Sequence, residues 1–267
     1  MPEAVAEHGQ TYDVLGVPIS AVSLETAAQR IALWKGDRVG RSVGVRDVAS
    51  LMAIRSDTDK LETSKRTSMN IPDGMPLVWI GKLKGYNVQR TCGPDLMEKM
   101  LLESGRTGLK HFFYGGKEGV ADTLAEKYRE KVSEIQIVGT CCPPFRELTP
   151  EENEAVVEQI RQSGADIVWV GMSSPKQDIW MDEHLDSIPA TMIGVGAAFD
   201  FHSGAVRRAP KVMQRLGFEF AFRLASEPKR LWRRYLVVAP VFVGLVLWQL
   251  LSHTAKKIFN LQSFSKS

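Results

Sequence analysis

The 267-residue chain is 44% hydrophobic and 24% charged, with a net charge of +3. That balance excludes a disordered or fibrous protein and allows a sizeable globular core. The N-terminal MPEAVAEHGQ has no apolar h-region, which predicts a cytoplasmic start rather than a secretory signal. Cys92, Cys141 and Cys142 show no CxxC spacing, so they read as packing residues of a reducing compartment, and no metal site is expected.

Charge is unevenly placed. Residues 206–234 hold nine Arg/Lys against Glu219 and Glu227, a net +7; residues 235–267 add three Lys and no acid, leaving −7 on the first 205. An acidic body (1–205) therefore precedes a basic C-terminal appendage (206–267). Such an appendage seeks phosphates, nucleic acid or an anionic membrane.

In chain order, YDVLGVPIS reads as a small hairpin, SLETAAQRIALWKG as a helix, RSVGVRDV as a strand, SLMAIRSD as a helix and TSMNI as a short strand. From residue 109 the pattern becomes regular. LKHFFYGG, IQIVGTCC, ADIVWVGM and ATMIGVGAAFDF predict strands, separated by helices with 3.6-residue spacing. Thr149 and Pro150 mark one helix start, at N-cap and N1. Repeated strand–glycine loop–helix units predict an α/β fold: a parallel, Rossmann-like sheet with helices on both faces.

The stretch MNIPDGMPLVW places Asp73 just past a strand's carboxyl end. Turn chemistry and capping of the helix near Met75 explain an aspartate there. So does a ligand site, because open α/β sheets bind ligands at that edge. Other strand ends offer matching chemistry. Gly115 and Gly116 let backbone N–H groups approach a phosphate at a helix start. Gly171 precedes Ser173-Ser174-Pro175-Lys176-Gln177, where Lys176 suits a phosphate and Gln177 a base or sugar. Gly194-Val195-Gly196 ends another strand, but Phe199 replaces the third glycine of a dinucleotide fingerprint. Asp200, between two phenylalanines, reads equally as a sugar ligand or as an ion-pair partner of Arg207 or Arg208.

The run YLVVAPVFVGLVLWQLL (235–251) has no charge, is interrupted by Pro240 and is bracketed by Trp232, Tyr235 and Trp248. That pattern predicts a segment lying in a membrane interface. A buried C-terminal helix, a dimer contact and a true span are the competing readings.

Five segments occur together in this order: Pro72-Asp73-Gly74-Met75-Pro76-Leu77-Val78-Trp79, Gln89-Arg90-Thr91-Cys92-Gly93-Pro94-Asp95-Leu96, Tyr114-Gly115-Gly116, Gly171-Met172-Ser173-Ser174-Pro175-Lys176-Gln177-Asp178 and Gly194-Val195-Gly196-Ala197-Ala198-Phe199-Asp200-Phe201. With them the chain resembles the WecG/TagA/CpsF family of glycosyltransferases, most like members in exopolysaccharide clusters. The resemblance implies a metal-independent, inverting transfer from a UDP-sugar donor, of N-acetylmannosamine or uronic-acid type or another hexose, without a cofactor. The implied acceptor is a polyprenyl-diphosphate-linked saccharide such as undecaprenyl-diphosphate-N-acetylglucosamine, met at the cytoplasmic face of the plasma membrane. It implies Asp73 as general base, Arg90 and Gln177 in the active site, and Arg223, Arg230 and Arg233 reaching the lipid diphosphate. A homo-oligomer is also implied.

One segment departs from the family. Its usual T-x-N after the early strand is here Val45-Arg46-Asp47. Asp47 is then the expected sugar contact, and Arg46 the expected partner of a donor carboxylate. Three other functions compete. An NAD-dependent epimerase or dehydrogenase would need a better glycine fingerprint. A membrane-bound nucleotide-sugar-binding protein without activity would not need Asp73, Arg90 and Gln177 together. Nucleic-acid binding is disfavoured by the long uncharged run in the basic appendage.

Overall fold

A computed structural model describes residues 9–206, 208–210, 212, 213 and 219–264, apart from the side chains of 223, 230 and 253–264. Strands β1 (Thr11–Val14) and β2 (Val17–Ser20) form the expected hairpin. Helix α1 (Leu24–Leu33) follows, with Ser23 and Thr26 closing a reciprocal capping box. Next come β3 (Arg41–Arg46), α2 (Val48–Arg55), α3 (Thr58–Arg66), β4 (Met69–Pro72), α4 (Met75–Leu83), α5 (Gly93–Leu102) and α6 (Ser104–Thr107). The regular half contains β5 (Lys110–Gly115), α7 (Val120–Lys131), β6 (Gln136–Cys141), α8 (Pro150–Ser163), β7 (Ile167–Gly171), α9 (Lys176–Glu183) and β8 (Thr191–Gly194). Thr149 caps α8 as the sequence predicts, with Glu152 returning the bond.

Six strands make one all-parallel sheet in the order β4-β3-β8-β7-β5-β6. The central strands are nearly continuous apolar runs because both faces are covered. On one face α1, α5 and α7 bring Ile31, Leu96, Met97, Leu124 and Tyr128 together with Phe113 and Trp169. On the other, Val157 and Ile160 of α8 and Trp180 and Met181 of α9 pack on Phe112, Val168 and Met192. The chain leaves β5 outward through α7 on the first face. It leaves β7 inward through α9 on the second. Those opposite exits open a crevice at the carboxyl ends of β5 and β7, where such sheets take ligands.

Within the first core His111 is fully buried. Trp169 Nε1–H donates to its Nδ1 at 3.1 Å, so the ring proton sits on Nε2, 3.0 Å from Ser104 Oγ. Burial alone lowers its pKa to about 3.

Two expectations change. The segment after Gly196 is not strand but helix α10 (Ala198–Ser203); Phe199 needs a helix to reach the core against Phe113. Pro240 also fails to break the tail. Helices α11 (Glu219–Ser226), α12 (Pro228–Arg233) and α13 (Ala239–Phe264) follow in chain order, with a π turn over Arg234–Val238 joining α12 to α13. Proline lacks an N–H and crowds the carbonyl four residues back. The widened turn, in which the Ala239 N–H reaches Arg234 O, absorbs both defects.

One face of α13 is core. Phe242 and Val246 join Tyr12, Val17, Leu51 and Leu77 in a third cluster between the hairpin, α2 and α4. Gln249 adds two polar ties: its Oε1 accepts from Leu15 N–H at 3.2 Å and its Nε2 donates to Asp13 Oδ1 at 2.6 Å. The remaining faces expose Val241, Val243, Leu247, Trp248 and Leu251, and the π turn before it exposes Leu236. The buried-helix reading of 235–251 thus holds for one side of the helix only.

Candidate active site

The register between β3 and β4 sets the site. Arg46 lies opposite Pro72, so the next residues, Asp47 and Asp73, leave adjacent strand ends together. The Asp73 N–H donates to Arg46 O at 2.8 Å. Asp73 does not cap α4. The N-cap is Gly74, and no side chain caps that helix. The carboxylate is held instead by Arg90, whose Nε donates to Asp73 O at 2.7 Å and whose Nη2 donates to Asp73 Oδ1 at 3.1 Å. Thr91 N–H, bonded to Pro72 O at 2.9 Å, fixes this segment along the corner. Burial opposes the Arg90 charge, but Asp73 and Glu219 outweigh it and keep the guanidinium protonated beyond the ordinary arginine range.

Asp47 plays another part locally. Its Oδ1 accepts from Ser50 N–H at 2.8 Å, capping α2, and its Oδ2 pairs with Arg234 from the tail. Arg46 corrects an expectation. It is 1% exposed, with Nε on Asn70 Oδ1 at 2.7 Å and Nη1 on Asp178 Oδ1 at 2.5 Å. The carboxylate that it meets belongs to this chain, not to a donor sugar. Ser174 Oγ completes Asp178 at 2.9 Å.

The glycines line the crevice. Gly115 is paired with Gly171 in the sheet, and Gly116 N–H donates to Gly171 O at 3.0 Å. Gly115 has φ +112°, and a Cβ there would lie 2.8 Å from Gly171 O. A side chain at this point is thus excluded twice, by conformation and by space. Gln177 is buried and its Oε1 accepts from Gly196 N–H at 3.1 Å, which ties the ends of β7 and β8. Lys176, one residue earlier, is exposed at the start of α9.

The tail reaches the same edge through residues that sequence reasoning did not single out. Glu219 Oε2 accepts from Arg90 Nη2 at 3.0 Å, and its Oε1 lies 3.6 Å from Arg208 Nε. Arg208 Nη1 donates to Asp95 Oδ1 at 2.5 Å and Nη2 to Cys92 Sγ at 3.2 Å. Cys92 S–H donates to Asp95 Oδ2 at 2.9 Å. Burial would raise the Asp95 pKa, but the Arg208 and Cys92 bonds hold it below its ordinary range. Burial pushes the Cys92 thiol well up, and Asp73 and Asp95 add to this. The charges therefore alternate: Asp73, Arg90, Glu219, Arg208, Asp95. The signal in the sequence was Glu219, one of two acids placed among nine basic residues.

Arg208 is thus not the partner of Asp200, and Arg207 lies outside the described residues. Asp200 is half-buried on α10. The side chains of Arg223 and Arg230 also lie outside the described residues, while Arg233 is exposed over Trp232. Among the described residues, Arg208 reaches the start of α5 and Arg234 the start of α2. Among the described residues, no three His, Cys, Asp or Glu side chains gather as metal ligands would.

The sheet edge thus brings together a held carboxylate, two glycine-lined strand ends and basic residues from the tail. Over residues 12–256 the chain matches the family described as Glycosyl transferase WecG/TagA/CpsF family. The chain belongs to this family. It is a glycosyltransferase, acting on a nucleotide-sugar donor and a saccharide acceptor. In this WecG/TagA/CpsF protein the match covers β3 to β8 and the docked tail. Asp73, Asp47, Gly115, Gly116, Gly171 and Gly196 lie at or just beyond strand ends on the sheet's carboxyl edge, and Gln177 of α9 bonds Gly196 there.

Proposed function

We propose that the protein transfers a sugar, with inversion and without a metal, from a UDP-sugar to a polyprenyl-diphosphate-linked saccharide during cell-surface polysaccharide synthesis. One observation carries this reading. The Asp73 carboxylate does not serve the helix behind it, and Arg90 holds it at the carboxyl edge of the sheet while leaving it 27% exposed. A carboxylate so placed accepts the proton of an acceptor hydroxyl as that oxygen attacks the anomeric carbon. The bond to UDP breaks on the opposite face, and UDP departs carrying the negative charge. The flanks of Gly115, Gly116 and Gly171 allow backbone N–H groups close to a phosphate. Lys176 and the arginines of the tail supply positive charge for a diphosphate.

Residues 206–267 act in this reading as a membrane-associating appendage of the catalytic body 1–205. Helix Leu231–Ser252 is long and apolar enough to cross a bilayer. Its ties to the body through Phe242, Val246 and Gln249 favour a peripheral position, with Trp248 and Leu251 facing lipid. The cytoplasmic face of the plasma membrane supplies both the lipid-linked acceptor and the anionic surface that the tail's charge suits.

The test is transfer to a short-chain lipid-diphosphate saccharide across a panel of UDP-sugars, with EDTA present and the anomeric configuration of the product read by NMR. Transfer with inversion that EDTA spares is expected. Retention of configuration, or loss of transfer in EDTA, contradicts the reading.

A further inference from the structure

Glu219 occupies a seat that fits a carboxylate poorly. It lies between two guanidiniums, those of Arg90 and Arg208, at the N-terminal end of α5, where no side chain caps the helix. The carboxylate bonds Arg90 at 3.0 Å but stops 3.6 Å from Arg208 Nε. That Nε is buried and has no hydrogen-bond partner. A buried guanidinium donor left unpaired is costly, so the seat is one bond short. Asp73 already balances Arg90, and Asp95 balances Arg208. Among the described residues, Glu219 is a third anion beside these two cations.

We propose that the Arg90–Arg208 pair is a diphosphate seat and that Glu219 holds it closed in the absence of ligand. A phosphoryl group has three oxygens set around a tetrahedral centre. It spans the two guanidiniums more fully than a planar carboxylate and satisfies the orphan Arg208 Nε–H. On binding, the diphosphate displaces Glu219, and with it the start of α11. The seat rests on the transferase reading for its ligand class. Its diphosphate belongs to the nucleotide donor or to the prenyl-linked acceptor.

Titration calorimetry on the full chain tests this with inorganic pyrophosphate, UDP and a short-chain prenyl diphosphate. Glu219→Gln keeps the shape and removes the competing charge, so it tightens at least one of the three by about tenfold. Tightening of UDP alone assigns the seat to the donor, and tightening of the prenyl diphosphate alone assigns it to the acceptor. Arg208→Gln weakens the same ligand by about tenfold, while Arg208→Lys, which keeps charge but not the fork, weakens it less. Affinities that Glu219→Gln leaves unchanged or weakens overturn the proposal and make Glu219 a structural latch. If circular dichroism shows that Glu219→Gln does not fold, Arg208→Lys decides: unchanged pyrophosphate binding overturns the seat. Sugar transfer combined with affinities indifferent to Glu219 would sink the seat alone. Pyrophosphate binding that follows the prediction in a protein that transfers no sugar would sink the transferase reading alone.

Discussion

Arg90 grips Asp73 at two points, its backbone carbonyl at 2.7 Å and its carboxylate at 3.1 Å. The grip fixes both the corner and the rotamer, so the carboxylate is held at the carboxyl edge of the sheet before any substrate arrives. Lysine offers one charged donor and cannot hold both points. Arg90→Lys is therefore expected to lower kcat by about 10–100-fold, the scale of a misplaced catalytic group, with the melting temperature little changed. A kcat equal to wild type would mean that the grip does not matter.

The pair Arg46–Asp178 is buried. Removing one partner strands the other charge in the interior, at a cost of about 3–5 kcal/mol. Arg46→Ala should lose that much in urea unfolding. A loss below about 1 kcal/mol would show that water reaches Asp178 freely.

The packed side of α13 predicts a separable tail. Phe242 is 2% exposed, and an aspartate there has no partner in an apolar cluster. Phe242→Asp should release α13 from the hairpin, with faster limited proteolysis between residues 206 and 240. Turnover on lipid-linked acceptor should fall at least tenfold, while far-UV circular dichroism of the body persists. Unchanged proteolysis and unchanged turnover would mean that the docked position is not the working one.

His111 predicts a pH dependence of stability. Its folded pKa of about 3 lies below the ordinary 6.5, so between these values the unfolded chain binds a proton that the folded chain refuses. The stability tied to its neutral form is whole above pH 6.5 and drains as pH falls toward 3. The slope of unfolding free energy against pH in that window should be shallower in His111→Gln than in wild type. Equal slopes would contradict the buried, neutral ring.

The regular half of the fold was legible because each strand, glycine and helix follows from local rules: Thr149 with Glu152 caps α8, and the apolar runs of β5 and β7 announce a sheet covered on both faces. Asp73 was legible as a strand-end carboxylate, but Pro-Asp-Gly fits an ordinary turn equally well. The uncapped start of α4 at Gly74 is what favours the proposed catalytic role over the cap. Arg46 was misread for a different reason. Its partner Asp178 lies 132 residues away, and a side chain's direction across a sheet edge is set by tertiary packing, not by its neighbours in sequence. Glu219 was missed for the same reason, since its two arginines come from a loop before α5 and from a segment before α11.

The most direct test compares wild type and Asp73→Asn in single-turnover sugar transfer to the lipid-linked acceptor, with UDP affinity measured beside it. Asparagine keeps the shape and the Arg90 contact but cannot take a proton. The account predicts a rate lower by about 10²–10⁴-fold, with UDP affinity within a factor of about three of wild type. A rate within about tenfold of wild type would return Asp73 to the role of a turn residue and remove the base from the proposed mechanism.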